Sequence, residues 1–277
     1  MATLTSLSET QGKAGDSLVI TGTSLGALSS TVKVNFATST VTMTVSGTVT
    51  TANTTVTCTI PTLPAAGQYN VSVTLSSSTT NNLPFFYVSV PVCSLLSVTT
   101  GPVTPSSNTT ITGTGLAAVG TTGVKFGANT ATIVSRSGDT QITCTPPADT
   151  SGFTTDIETV NVTVVSPGGT STSTGPATQF AYYNAPTVTN VSPGSGTASE
   201  DGAVVTGTGF VDVSAVIFRD TVSPNATFTA TVTSVDSDTE LVITTPAGLV
   251  AAKTYDVTVT TPGGQSALNP PGDQFTT

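Results

Sequence analysis

The stretch Val204-Val205-Thr206-Gly207-Thr208-Gly209-Phe210 decides the fold, because the same pattern occurs three times in the chain. Its two earlier copies are Val19-Ile20-Thr21-Gly22-Thr23-Ser24-Leu25 and Thr110-Ile111-Thr112-Gly113-Thr114-Gly115-Leu116. The central glycines of the three copies lie 91 and 94 residues apart. Self-similarity at a nearly constant spacing is typical of a repeat architecture, so the 277 residues are interpreted as three consecutive units.

A second column of residues has nearly the same period. Tyr69-Asn70-Val71-Ser72-Val73 matches Val160-Asn161-Val162-Thr163-Val164 and Tyr255-Asp256-Val257-Thr258-Val259. Apolar and polar residues alternate strictly in each copy, which predicts a β-strand with one face turned inward and the other turned to water. Two independent patterns with nearly the same spacing are hard to obtain by chance.

Further short patterns supply the inward faces of other strands. The copies Val34-x-Phe36, Val124-x-Phe126 and Val216-x-Phe218 give each unit one large aromatic side chain for its core. Cys58 and Cys144 occupy equivalent inward positions, so they are expected to be small buried hydrophobic residues in separate cores. Cys93 falls in a predicted linker without a partner. All three cysteines are therefore expected to be free thiols.

The fold class that follows is all-β, with three tandem immunoglobulin-like β-sandwich domains in an extended rod. The predicted domains are residues 1–90, 91–184 and 185–277, called repeats 1, 2 and 3 below. The linkers Val90-Pro91-Val92-Cys93 and Asn184-Ala185-Pro186 are short and contain proline, which predicts stiff spacers. Three such domains end to end would form a rod on the order of 100–120 Å long.

Glycines and prolines indicate where the strands turn. The glycine at the centre of each copy of the first pattern, such as Gly113, is expected to leave its strand with a positive φ. Pro167-Gly168-Gly169 and Pro262-Gly263-Gly264 are hairpin signals, with proline at the first turn position and a positive φ expected at the glycine that follows it. Repeat 1 has three serines at the corresponding place, residues 76–78, so its hairpin is expected to be looser.

Composition excludes several classes of function. The net charge is −9 with six basic residues, so no basic surface for nucleic acid can be assembled. No apolar stretch approaches the roughly 20 residues of a membrane span, so membrane insertion is not expected. Histidine is absent, which removes Ser-His-Asp and Cys-His catalysis, and tryptophan, the usual platform for stacking sugars, is absent as well. An enzyme is therefore not expected.

Two candidate sites have simpler structural explanations. Gly113-Thr114-Gly115 follows a strand as a phosphate-binding loop would, but no helix follows and the pattern occurs three times, which favours a turn. Asp236, Asp238 and Glu240 could place carboxylates on one strand face for calcium. The pair Asp238-Thr239 aligns with Asp139-Thr140 just before the same strand, which favours a turn stabilised by aspartate side chains. No catalytic residue, no cofactor-binding residue and no metal ligand is predicted.

The repeats resemble the IPT/TIG domain. Repeat 3 carries the resemblance best, through Asn190-Val191-Ser192-Pro193-Gly194-Ser195-Gly196, the stretch at 204–210, Pro262-Gly263-Gly264 and Gln274-Phe275. Repeat 2 is similar through Gly113-Thr114-Gly115, Val124-Lys125-Phe126-Gly127, Pro146-Pro147 and Phe180-Ala181-Tyr182. Repeat 1 departs most, since it lacks the opening Pro-x-x-Gly and has Ala37 where the family often has glycine. The resemblance implies an immunoglobulin-like sandwich and leaves the function open, because fold does not determine function.

The leading hypothesis is a non-enzymatic structural or adhesive protein of a phage virion, such as a capsid decoration protein, head fibre or tail-associated ornament. A Met1 start without an export signal, a chain made only of adhesive-type sandwiches and a charge-poor, threonine-rich surface favour it. The expected location is the virion surface, with a capsid or tail protein as partner and a host surface as a further binding target. The alternative is a bacterial cell-surface stalk, adhesin or filament subunit. A homo-oligomer is left open.

Charge is distributed unevenly along the chain. Repeat 1 has net charge 0, repeat 2 has −2 and repeat 3 has −7. Interface cores are depleted of charge, whereas charge of one sign favours solvation. The N-terminal domain is therefore expected to dock onto the particle, with the acidic C-terminal domain projecting into solvent. The alternative explanation is that the drift reflects loop sequence alone.

Overall fold

The computed structural model describes residues 1–76, 78–173 and 175–277. Apart from one turn of 3-10 helix, Pro176–Thr178, all regular elements within these ranges are β-strands. Buried hydrophobic residues fall into three separate core clusters. The all-β, immunoglobulin-like fold is thereby confirmed, while the boundaries at residues 90 and 184 stay a prediction.

Nine strands surround the first core. Eight are joined by hydrogen bonds in the order β1-β3-β6-β5-β4-β7-β9-β2, and β8 pairs with β7. The long strand β5 pairs with both β4 and β6, and so connects the two faces of the sandwich. Their bounds are β1 (Thr3–Leu7), β2 (Gln11–Gly12), β3 (Ser17–Thr23), β4 (Thr31–Ala37), β5 (Thr42–Thr51), β6 (Thr55–Thr59), β7 (Gly67–Leu75), β8 (Ser78–Thr79) and β9 (Leu83–Tyr87).

The second core lies between two separate sheets. The strand orders are β10-β12-β16-β15 and β11-β19-β17-β13-β14, with β18 paired to β17. Two pieces, β14 and β15, stand where repeat 1 has the single long strand β5, so the sheets stay unconnected along that side. The bounds are β10 (Val92–Leu96), β11 (Thr100–Pro102), β12 (Thr109–Thr114), β13 (Val124–Phe126), β14 (Asn129–Thr130), β15 (Thr132–Ser137), β16 (Gln141–Thr145), β17 (Ile157–Ser166), β18 (Gly169–Thr170) and β19 (Gln179–Tyr183).

As in repeat 1, one long strand connects the two faces of the sandwich around the third core. Its strand order is β20-β21-β24-β23-β22-β25-β26, with β27 paired to β25, and the 11-residue β23 pairs with both β22 and β24. The bounds are β20 (Thr187–Ser192), β21 (Asp201–Thr208), β22 (Ala215–Asp220), β23 (Thr227–Ser237), β24 (Glu240–Thr244), β25 (Thr254–Thr261), β26 (Gly264–Gln265) and β27 (Gln274–Thr276).

The columns that define the repeat in the sequence are neighbouring strands in space. Phe36 pairs with Val71, and the equivalent pairs are Phe126 with Val162 and Phe218 with Val257. All six side chains are buried. Each of these phenylalanines also meets a second one edge-on, with ring centroids 5.3 to 5.8 Å apart in the pairs Phe36–Phe85, Phe126–Phe180 and Phe218–Phe275. Such T-shaped contacts contribute about 0.5–1.5 kcal/mol beyond burial.

The central glycine of each repeat serves a purpose other than the expected positive φ. Gly113 lies inside β12, and a Cβ there would stand 1.8 Å from the carbonyl oxygen of Val92. The distances for Gly22 and Gly207 are 2.1 and 1.8 Å, again to the first strand of the repeat. The first strand carries a β-bulge at this place in all three repeats. Glycine is therefore required for close approach of a neighbouring backbone.

The positive φ occurs two residues later. Gly115 and Gly209 both have φ of 71°, and Ser24 has φ of 57°. The expectation at the central glycine was wrong because the strand continues through it, and the chain turns only at the third residue of the Gly-Thr-Gly or Gly-Thr-Ser stretch.

The hairpin glycines need a similar correction. Positive φ values of 135° and 113° occur at Gly169 and Gly264, one residue beyond the expected Gly168 and Gly263. Ser166 pairs directly with Gly169, so proline and the first glycine form a two-residue turn, and the second glycine is the first residue of the returning strand. The looser hairpin expected at residues 76–78 of repeat 1 includes Ser77, which lies outside the described residues.

The first linker lies two residues earlier than expected. Val92 and Cys93 belong to β10, so residues 88–91 lie between the strands of repeats 1 and 2. Cys93 was placed in the linker because an exposed Val92 and a bulge hide the strand alternation there. The second linker, residues 184–186, agrees with the prediction.

Candidate interaction surfaces

The carboxylates considered for calcium do not form a metal site. Asp236 is the second-last residue of β23, Asp238 lies in the following turn, and Glu240 begins β24. All three are exposed. Across the residues that the structure describes, no three His, Cys, Asp or Glu side chains are grouped so that they could hold a metal ion.

The aspartate of the equivalent turn in repeat 2 stabilises a loop distant in sequence. Asp139 accepts hydrogen bonds from the backbone N–H groups of Gly115 and Ala117, each at 2.9 Å. The turn position was predicted correctly, but the carboxylate caps the loop after Gly113 rather than its own turn. These amides are the ones that a phosphate would need, and an internal carboxylate already occupies them. The Gly-Thr-Gly stretch is thus a capped turn.

The three cysteines are free and buried. Cys58 belongs to the first core, whereas Cys93 and Cys144 share the second. Burial raises the pKa of Cys58 and Cys93 to about 11 and that of Cys144 to about 12, the last also through the nearby Cys93. The thiolate is the reactive form, so these groups are poor nucleophiles. The placement of Cys58 and Cys144 in separate cores is confirmed.

Cavities lie at the ends of the repeats and at the joints between them. A groove of about 660 Å³ at one end of repeat 1 is lined by the loop after Leu25 and by Lys33, Thr74 and Leu75. A cleft of about 180 Å³ lies between Phe86 and Val88 of repeat 1 and Gly115 and Asp139 of repeat 2. A third cavity, of about 300 Å³, is lined by Pro262 of repeat 3 and by residues of repeat 2 that include Pro102 and Phe180. None of these three is lined by a paired acid and base, which general acid–base catalysis requires.

Many of the carboxylates that make repeat 3 acidic are engaged in its own structure. Asp220 forms an ion pair with Lys253 at 2.5 Å, which lowers the pKa of Asp220. Glu200 accepts from the backbone N–H of Thr197 at 2.7 Å, and Asp273 is fully buried and accepts from that of Asn269 at 2.7 Å. The charge drift along the chain therefore has a partly structural origin.

Two carboxylates meet where repeats 2 and 3 join. Asp156 precedes β17 and Asp238 lies in the turn between β23 and β24, and their side chains are within hydrogen-bonding reach. Desolvation and the negative charge of Asp238 raise the pKa of Asp156 above its ordinary value. On the same joint, Tyr183 donates to Asp212 at 2.6 Å. Sequence reasoning found none of these contacts, because each joins residues from different repeats.

Buried hydroxyl groups are a further feature that the sequence did not reveal. Ser171 accepts a hydrogen bond from the N–H of Val164 at 2.8 Å, and Thr80 and Ser266 do the same for Val73 and Val259. All three hydroxyl-bearing residues are buried. The signal available in the sequence was a serine or threonine seven residues after the last valine of the second column in every repeat.

Comparison with known proteins agrees with this geometry. The family model of the IPT/TIG domain matches residues 2–87 and 91–182. A search of the curated proteins gives no match. Across the described residues, no helix is long and apolar enough to cross a membrane.

Several solved structures are similar to this chain at low sequence identity and low TM-score. The full extracellular region of Plexin A4 is 13% identical over 99% of this chain, with a TM-score of 0.36, and the chain spans about a third (34%) of that protein. The surface glycan-binding protein SGBP-B from the mixed-linkage glucan utilization locus of Bacteroides ovatus is 17% identical, with 96% of this chain and 63% of that one covered and a TM-score of 0.27. A tetra-tandem repeat from the extending region of a large adhesion protein is 17% identical, with 96% and 71% covered and a TM-score of 0.27.

Proposed function

The chain belongs to the IPT/TIG domain family, and from this premise we propose that it is a non-enzymatic structural and adhesive protein on the surface of a virion. Domains of this family are typically non-catalytic. A tandem array of them suggests a structural or adhesive role, which fits an extracellular or cell-surface setting. The observation that carries the proposal is the placement of the cavities, which lie at the ends and joints of the sandwiches and lack an acid–base pair.

The outer faces of the strands support a structural role. Threonine hydroxyls pair across neighbouring strands, at 2.7 Å between Thr3 and Thr23 and again between Thr187 and Thr208. Cross-strand pairs of this kind stabilise a sheet without adding charge. In repeat 1, which has no net charge, such hydroxyl-rich faces allow copies of the chain to stand close together without charge repulsion.

The cysteines favour a virion over an exported surface protein. Three cysteines remain unpaired, although exported proteins meet oxidising conditions in which disulfides form and persist. A protein that folds in the reducing cytoplasm and is released by lysis keeps its thiols. Virion assembly follows this route, whereas a bacterial stalk or adhesin is exported.

Repeat 1 is the proposed docking end. It has no net charge, and its free groove carries a single charged side chain, Lys33. Repeat 3 has net charge −7, which favours exposure to solvent. The partner is a capsid or tail protein, and repeat 3 is the end that would meet a host surface.

Mass spectrometry of density-purified particles from the producing culture tests the proposal. The chain should co-purify with capsid and tail proteins at a fixed ratio. Deletion of residues 1–90 should abolish incorporation, whereas deletion of residues 187–277 should leave it largely intact. Particles without the chain, together with recovery of the chain on the bacterial envelope, would contradict a virion protein and favour the bacterial stalk or adhesin.

A further inference from the structure

Both linkers lie against the repeat that follows them in the same way. The Cα of Pro91 is 3.2 Å from the position of a Cβ on Gly115, and the Cα of Pro186 is 3.4 Å from that on Gly209. Both glycines have φ of 71°. The loop after the first long strand of each repeat is therefore shaped to receive a proline of the preceding linker.

The other wall of each contact is the Pro-Gly-Gly hairpin. A Cβ on Gly168 would stand 2.0 Å from the carbonyl oxygen of Ser89, and one on Gly263 would stand 2.1 Å from that of Asn184. Neither glycine has a positive φ, so the backbone conformation does not require glycine there. Glycine is required at these two positions because the backbone of the linker occupies the space that a side chain would fill.

Each linker is also bound to the repeat that it leaves. Val88 donates its N–H to the carbonyl oxygen of Gly12 at 2.9 Å in the first linker. In the second linker, the backbone N–H of Asn184 donates to the backbone carbonyl oxygen of Asp156 at 3.0 Å, and its side-chain amide donates to the carbonyl oxygen of Thr155 at 2.7 Å. The few linker residues are thus bound at both ends, which leaves little freedom between the repeats.

We propose that the loop glycine and the hairpin glycine of a repeat form a docking surface, the linker slot, whose partner is the proline-containing segment that leaves the preceding repeat. The slot is Gly115 with Gly168 in repeat 2 and Gly209 with Gly263 in repeat 3. By holding the linker, the slot makes neighbouring repeats move as one body. The stiffness of the chain then resides in the following repeat rather than in the prolines of the linker alone.

Repeat 1 lacks the residues of a linker slot. Ser24 stands where the other repeats have Gly115 and Gly209, and the serines at 76–78 replace Pro-Gly-Gly. That end of repeat 1 instead carries the groove of about 660 Å³. The pattern Gly-Thr-Gly with Pro-Gly-Gly therefore marks, in the sequence, the repeats that hold a linker in this chain.

The test compares the full chain with the variant Gly168→Ala/Gly263→Ala by ¹⁵N relaxation and small-angle scattering. The wild-type repeats should share one rotational correlation time. The variant should show separate correlation times and a broader distance distribution, with the thiols still protected as evidence of intact cores. The matched control is Gly120→Ala/Gly194→Ala, since an added Cβ meets nothing within 4 Å at Gly120 and lies 3.6 Å from its nearest neighbour at Gly194.

Two results would overturn the proposal. One is a folded Gly168→Ala/Gly263→Ala variant with the same relaxation and scattering as the wild type. The other is independent tumbling of the repeats in the wild-type chain. This second result would contradict the linker slot even if the variant does not fold. Because neither result concerns virions, failure here is distinguishable from failure of the proposed function.

Discussion

At the scale of single residues, the chain depends on glycines that leave room for a neighbouring backbone. Gly113 lies opposite the bulge of β10, where the carbonyl oxygen of Val92 occupies the space of a side chain. Substitution there must displace β10, which carries Cys93 and Leu96 of the second core. The cost arises from overpacking rather than from any special φ.

We expect Gly113→Ala to destabilise repeat 2 by about 1–3 kcal/mol, the usual cost of overpacking a dense interior. The measurement is the urea concentration at which Cys93 and Cys144 become reactive, since both thiols report on that core. Gly120→Ala is the control, because its added methyl group meets nothing within 4 Å. Equal urea midpoints for Gly113→Ala and Gly120→Ala would show that Gly113 is not needed for the close approach of β10.

The thiols give a second residue-scale prediction. Because burial raises the pKa of all three to about 11 or 12, the thiolate is a very small fraction at pH 8. A thiol reagent should find almost no reactive cysteine in the native protein and three in denaturant. Fewer than three after unfolding, without prior reduction, would reveal a disulfide and contradict the core assignment.

At the scale of strands, each hairpin is tied to its long strand by one buried hydroxyl. Ser171→Ala would leave the buried N–H of Val164 without its acceptor, at a cost of about 1–3 kcal/mol. Ser171→Thr should be far milder, since repeat 1 has Thr80 at the equivalent position. The urea midpoint of the repeat 2 thiols measures both variants, and a loss of stability no greater for alanine than for threonine would show that the hydroxyl is unimportant.

The joint between repeats 2 and 3 should depend on pH through Asp156. Its pKa is raised in the folded chain by desolvation and by Asp238, so the folded state holds that proton more tightly than the unfolded state. Protonation therefore stabilises the joint as pH falls through this pKa, and the ionised pair is unfavourable at neutral pH. The effect is modest because Asp156 is only half-buried and solvent still screens its charge.

Melting temperatures of the wild type and Asp156→Asn at pH 7 and pH 4 test this expectation. The variant should be the more stable at pH 7, and the difference should shrink at pH 4. Asp236→Asn, which removes an exposed carboxylate from the end of β23, is the control. A difference in melting temperature between Asp156→Asn and wild type that is the same at both pH values would contradict a raised pKa of Asp156 at the joint.

The strands and their inward faces were predictable because they depend on local alternation. Tyr69-x-Val71-x-Val73 and Val34-x-Phe36 are buried as expected and pair with each other. The uses of Gly113 and Gly168 were not predictable, because each depends on a backbone segment that approaches from elsewhere in the chain. The contact between Asp156 and Asp238 was hidden for the same reason: a residue pattern does not reveal which loops meet at a joint.

At the scale of the whole molecule, the accessible surface indicates separate bodies with small joints. The total is 12957 Å². A compact monomer of 27.5 kDa would expose about 11,000 Å², and three separate bodies of a third of that mass would together expose about 15,000 Å². The observed value lies between the two. This intermediate value is consistent with several bodies that bury part of their surface against one another, and the extended rod remains a prediction.

Small-angle X-ray scattering of the full chain tests the central claim, a stiff row of sandwiches, most directly. A stiff row of three sandwiches should give a rod-like profile with a maximum dimension on the order of 100–120 Å and the cross-section of a single sandwich. A compact particle with a radius of gyration near ~20 Å, as expected for one globular domain of this length, would contradict it.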